Sequence, residues 1–359
     1  MRKMLLTLSA LTLLLACSRE PAVSCGGEAV VHIAASLPEM RAATRGPVTG
    51  ATFLENGTYG IFVCEQGSTT AAHKSNSWNI KSSYTAGRWG YCYVGNLGSG
   101  AVAATAYDNI TLTVREDGIA ADLYAYAPYT QGAFSSGPAA IPYTLAARIQ
   151  DQADLMYAVE NTDPAANTGL DPGSGGELSA SFTFRHVFAL LAFRFRLVND
   201  AASGSYGTGS SYSLTDVDVS LNDPDGDGET TARLYTSGTF NALTGTFNPG
   251  AATQASLHVS YAPYYPAISS AANSSVAYLL LVPTEVADDE LVFTFTVNGK
   301  TLQPFSLKRE YLRHNDGTTF GFRPGYKYTF HFTLDNYVYF DGFSVSSDWS
   351  AQTLGTEEI

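Results

Sequence analysis

From Thr52 onward, apolar and polar positions alternate with a period of two, in short runs punctuated by Gly, Asn, Asp and Ser. Leu291 to Val297 alternates cleanly, and Asn298-Gly299 then supplies the two residues that tolerate positive φ in a tight hairpin. In the 326–334 stretch Tyr326, Tyr328, Phe330, Phe332 and Leu334 share one face. Lys327, Thr329, His331 and Thr333 share the other, which predicts a half-buried strand of an antiparallel sheet with His331 solvated. No run holds a helical period over twelve residues. The pattern predicts an all-β chain.

Phe182 to Leu197 carries two period-two blocks of opposite parity: Phe182, Phe184, Phe188 and Leu190, then Leu191, Phe193, Phe195 and Leu197. The phase slips at Leu190-Leu191, which predicts a bulge there or a strand passing between two sheets. A polar stretch from Asp163 to Gly176 precedes it. Two β-sandwich domains, 47–180 and 181–359, are the packing expected for so many short strands.

The start of the chain follows a different pattern. Arg2 and Lys3 precede the apolar run Met4 to Ala16, a secretion signal over residues 1–16 that is too short to span a bilayer as a mature helix. Leu14-Leu15-Ala16-Cys17 resembles the bacterial lipoprotein box, which implies acyl chains on Cys17 and stable anchoring in the outer membrane. Residues 17–46 read as a tether, within which Ala29 to Ala34 can make one strand. No later stretch reaches 18 apolar residues.

Composition narrows the classes. The chain is 45% hydrophobic and only 15% charged, unlike a disordered or coiled-coil protein. Lys and Arg number 20 against 33 Asp and Glu, and no basic run interrupts the acidic balance, so a nucleic-acid partner is not expected.

Candidate chemistry is sparse. After export, Cys64 and Cys92 lie on strand-like runs in an oxidising compartment, where they could form a disulfide or remain buried thiols. The six histidines are scattered, and His186, inside an aromatic strand, reads as a hydrogen-bonded core residue. Asp288-Asp289-Glu290 reads as solvated charge in a turn. Asp223, Asp225 and Asp227 match the opening of a calcium loop, but Leu234 stands where the bidentate Glu belongs, so an exposed turn is the favoured reading. No nucleophile elbow or phosphate loop occurs, so neither an enzyme nor a cofactor is expected. Trp78, Trp89 and Trp349 are far apart, leaving a glycan-binding surface lipoprotein as the second reading.

Taken in order, several motifs resemble the fimbrillin family. They are the Cys17 box, Thr44-Arg45-Gly46 ahead of Thr52-Phe53, Ala153-Asp154-Leu155-Met156-Tyr157-Ala158, and Phe184-x-His186. Thr239-Phe240-Asn241 with Gly245-Thr246-Phe247, and Phe322-Arg323-Pro324-Gly325-Tyr326, complete the set. The resemblance implies two tandem transthyretin-like antiparallel β-sandwich domains. It also implies a lipoprotein precursor cut by an arginine-specific protease at Arg45, with Arg41 as the alternative. Losing the leading strand then opens a groove that a strand of the next subunit fills, building a surface fimbria that contributes to adhesion through a host or bacterial receptor. Tyr337 to Phe340 and Phe343 to Val345 offer strand-forming material near the C-terminus.

Overall fold

The computed structural model describes residues 27–36, 57–74, 76–85, 88–93, 105–107, 109–159, 169–173, 175–197, 212–250, 254–263, 265–269, 276–312, 320–334 and 338–346. Cys17, Cys25, Arg41, Arg45, Trp349 and the Ser350–Ile359 tail lie outside them. Among the described residues the chain is β throughout: no helix exceeds four residues, and none is long and apolar enough to cross a membrane.

In the first half, a three-stranded sheet runs in the order Gly176–Thr183, Glu28–Ser36, Ile110–Thr113. It packs over a seven-stranded sheet in which Ala121–Ala127 and Thr58–Glu65 are central neighbours. Ile61, Val63, Leu123 and Ala125 of the larger sheet meet Ala29, Val31, Leu112 and Phe182 of the smaller in one core. The larger sheet is buried on its other face too, where Phe62, Cys64, Tyr124 and Tyr126 join the second core. Gly60 makes this closeness possible, because a Cβ there would lie 1.9 Å from the ring of its cross-strand partner Tyr126.

In the second half, a four-stranded sheet (Ala277–Leu281, Ala189–Leu197, Lys327–Leu334, Val338–Ser346) faces a sheet built on Tyr212–Leu221 and Leu291–Val297. Phenylalanines fill the space between: Phe193 lies 5.3 Å and Phe195 5.0 Å from Phe295 by ring centroids, both edge-on, and Phe195 stacks on Phe332 at 5.3 Å. The Leu291–Val297 strand buries alternate residues, and Asn298 (φ 48°) and Gly299 (φ 77°) turn it into Lys300–Thr301, as the pattern predicts.

Three details depart from the sequence reading. The Lys327–Leu334 strand is not half-buried: Lys327, Thr329 and Thr333 are 3%, 3% and 6% exposed, because the strand is interior and Leu190, Ala192 and Leu280 share its second face. His331 is correspondingly half-buried, and burial, with Arg194 adding to it, holds its pKa below the ordinary histidine value. The slip is not at Leu190-Leu191, both fully buried in one continuous strand. The chain changes sheet earlier, from Gly176–Thr183 to Arg185–His186 to Ala189–Leu197. Nor is pairing wholly antiparallel: Glu28–Ser36 runs parallel to Gly176–Thr183, and Ala189–Leu197 parallel to Lys327–Leu334.

Candidate functional site

The site is the leading strand and the groove it occupies. Val30, Val31 and Ile33 favour extended backbone, and alternation sends Ala29, Val31, Ile33 and Ala35 inward. Ala29 and Val31 are fully buried, while Ile33 and Ala35 are half-buried. Withdrawing these four side chains would forfeit about 4 kcal/mol of apolar burial, as an upper estimate. It would also leave two rows of main-chain N–H and C=O groups without their ladder partners.

The grip on this strand is uneven. Gly176–Thr183 pairs with it from Ala29 to Ser36, whereas Ile110–Thr113 pairs only from Glu28 to Val31. The first end is held further: Val114 N–H donates to Gly27 O at 2.9 Å, and Lys74 Nζ donates to Glu28 Oε1 at 3.0 Å. That ion pair holds the Glu28 carboxyl below its usual pKa against a smaller opposing effect of burial. Beneath the strand lies an aromatic floor, where Tyr59 contacts Trp89 and Phe184, and Trp89 stacks on Tyr91.

Other predicted site residues fall elsewhere. Cys64 and Cys92 are free thiols: Cys64 sits in the Thr58–Glu65 strand and Cys92 in Arg88–Tyr93, with Ile80–Thr85 between them, so no bridge forms. Burial pushes the Cys64 thiol up to about 12, with Asp122 adding to it, which leaves it inert. Asp223, Asp225 and Asp227 bring carboxylate oxygens within 4.8 Å of one another at the surface. Both Asp223 oxygens, however, accept backbone N–H groups, from Gly226 and Gly228 at 2.8 Å, and Leu234 is buried in the core. The loop is a turn closed on its own amides.

His186 is the hydrogen-bonded core residue expected: its Nδ1 lies 2.6 Å from Asp154 Oδ2, and both side chains are buried. Two of the separate sequence motifs therefore meet in one pair. Asp288-Asp289-Glu290 is not simply solvated. Asp289 pairs with Lys308, and Glu290, 5% exposed, accepts N–H groups from Thr231, Ala232 and Ala287. Trp78 packs on Phe62 and donates to Phe134 O, so it offers no free platform for a sugar. The Val338–Ser346 strand completes its own sheet, with Phe340 against Phe305 and Phe343 against Phe330. Lys74 and Thr111 were not signalled by the sequence. Lys74 and Glu28 are 46 positions apart, and no local pattern links a loop lysine to a strand terminus at that range.

The described residues form an all-β protein in which the strand Glu28–Ser36 lies at the centre of a three-stranded sheet and fills an apolar groove. The sequence matches the fimbrillin-like family over residues 44–349, and the chain belongs to that family. A candidate cell adhesion protein from Bacteroides uniformis shares the fold at 17% identity and TM-score 0.50, over 90% of this chain and 99% of that one. A second, from Bacteroides ovatus, matches at 16% identity and TM-score 0.52 over the same shares. Among curated proteins none matches the sequence.

Proposed function

We propose that this protein is a fimbrial subunit exported as a lipoprotein, acylated at Cys17, cut at Arg45 (or Arg41), and polymerised by strand exchange in the groove that Glu28–Ser36 occupies. Its partners are other subunits, an arginine-specific protease, the outer membrane through the precursor's lipid, and a surface receptor. Two sandwich domains carry it, and we place their boundary at the crossing between Phe184 and Val187, a few residues past the 180/181 division read from sequence. The single observation that supports the reading is position: a strand central to a sheet, with Ala29 and Val31 buried, lies wholly upstream of Arg45. The family match begins at Thr44, beside that arginine.

The physics of the cut is one of effective concentration. While the strand is tethered, it competes for its groove at roughly millimolar effective concentration, and a neighbour's strand cannot displace it. Cutting the tether makes the competition bimolecular and irreversible in practice. A head-to-tail contact of this kind does not close on itself, so it grows a filament.

Purified precursor treated with an arginine-specific protease is expected to give one new N-terminus at Gly46 and then oligomers on size exclusion. Resistance to the protease, or cutting throughout the body, would count against the reading.

A further inference from the structure

At the mouth of the groove, Lys74 sits in a turn held by its own bonds: its N–H donates to Ser77 Oγ at 3.1 Å, and its carbonyl accepts from Ser77 N–H at 3.1 Å. From there its ammonium reaches two groups, the Glu28 carboxylate at 3.0 Å and the Thr111 hydroxyl. Thr111 belongs to the groove wall, and Glu28 stands opposite Thr113 in the register of that wall. The Lys74 side chain is only 18% exposed, against 55% for Glu28. The neighbouring cation is provided for differently. Arg115 takes both its carboxylates, Glu65 and Asp117, from the body of the groove. Lys74 takes its carboxylate from the strand that leaves.

We propose that Lys74 sets the register of the groove by favouring a carboxylate one position before the first buried side chain of whatever strand enters. The inference rests on the strand-exchange reading and names the chemistry of the partner. It is a strand of a neighbouring subunit with an acidic residue, then a small inward residue, then branched residues at the next two inward positions, as in Glu28, Ala29, Val31 and Ile33. A strand shifted by one residue would turn its polar face to the aromatic floor and withdraw its acid from Lys74 together. A strand without the acid would leave a poorly hydrated ammonium with a single hydroxyl partner. Because one partner is half in water, the effect is one of discrimination and not of bulk affinity.

The test uses the full chain nicked after Arg45 and a large excess of a fluorescent peptide of sequence Glu28–Ser36, which exchanges with the nicked segment, with binding followed to equilibrium by anisotropy at low salt. Glu28→Lys in the peptide is expected to weaken binding about five-fold. On the Lys74→Glu protein the preference should reverse, and both differences should shrink at high salt. If Lys74→Glu does not fold, Lys74→Gln serves: on it, the native peptide and a Glu28→Gln peptide should bind alike, while wild type favours the native one. Equal binding of native and charge-reversed peptides to wild type would overturn the role of Lys74 and leave strand exchange standing. Failure of the native peptide to bind the nicked chain at all would overturn strand exchange itself, and this inference with it.

Discussion

At the scale of single residues, the role of a buried polar group is set by the partners that surround it. Glu290 illustrates this. Burial alone would raise its pKa, but three backbone N–H groups aimed at the carboxylate outweigh that and bring it below the ordinary value of 4.5. A carboxylate whose pKa is lowered on folding adds stability in full above its unfolded pKa, and loses it as pH falls through the native one. Glu290→Gln should therefore cost about 2 kcal/mol at pH 7, and the gap to wild type should begin to narrow as pH falls below 4.5. Urea melts at pH 7 and pH 3 check this, and an unchanged gap would refute it. In the sequence Asp288, Asp289 and Glu290 look alike. Their partners separate their fates: Asp289 meets Lys308, while the Thr231–Ala232 backbone returns to Glu290.

At the scale of elements, the leading strand is two pieces. Ala29 to Val31 is paired on both sides, but among the described residues His32 to Ser36 is paired only with Gly176–Thr183. The loosely held end is the one nearer Arg45, so a freed strand would peel from Ser36 toward Glu28, with the Lys74 pair releasing last. Amide hydrogen exchange in the intact protein should accordingly show His32–Ser36 exchanging well before Ala29–Val31, and uniform protection along the strand would argue against peeling. The elements themselves were largely legible. Period-two runs located Leu291–Val297 and its Asn298-Gly299 turn, and the Ala29–Ala34 strand, because those signals are local. The burial of both faces of Lys327–Leu334 is not legible in the sequence, since alternation reports which face is more apolar and says nothing of what lies over the other.

At the scale of the whole molecule, the two halves are stitched together. Ile141–Thr144 from the first half pairs with Ser237–Phe240 from the second, and Tyr157 packs edge-on against Phe240 at 6.0 Å. The second core continues onto the back of the first half's larger sheet through Phe62 and Tyr126. The His186–Asp154 pair sits where the chain crosses between the cores. Shared burial of this kind couples unfolding, so calorimetry should show one cooperative transition. Two resolved transitions would mean that the halves melt separately.

The sequence by itself determined the class of fold, the family, the Asn298-Gly299 turn and strands such as Leu291–Val297, because each of these is written in short-range periodicity or in ordered motifs. Tertiary structure alone decided that Cys64 and Cys92 stay apart, that Glu290 is a buried cap, and that Lys74 answers Glu28. The reason is distance along the chain. A strand's alternation is felt over a few residues, whereas the partners that give a charge or thiol its role arrive from tens of residues away, by a register that the folded sheets set.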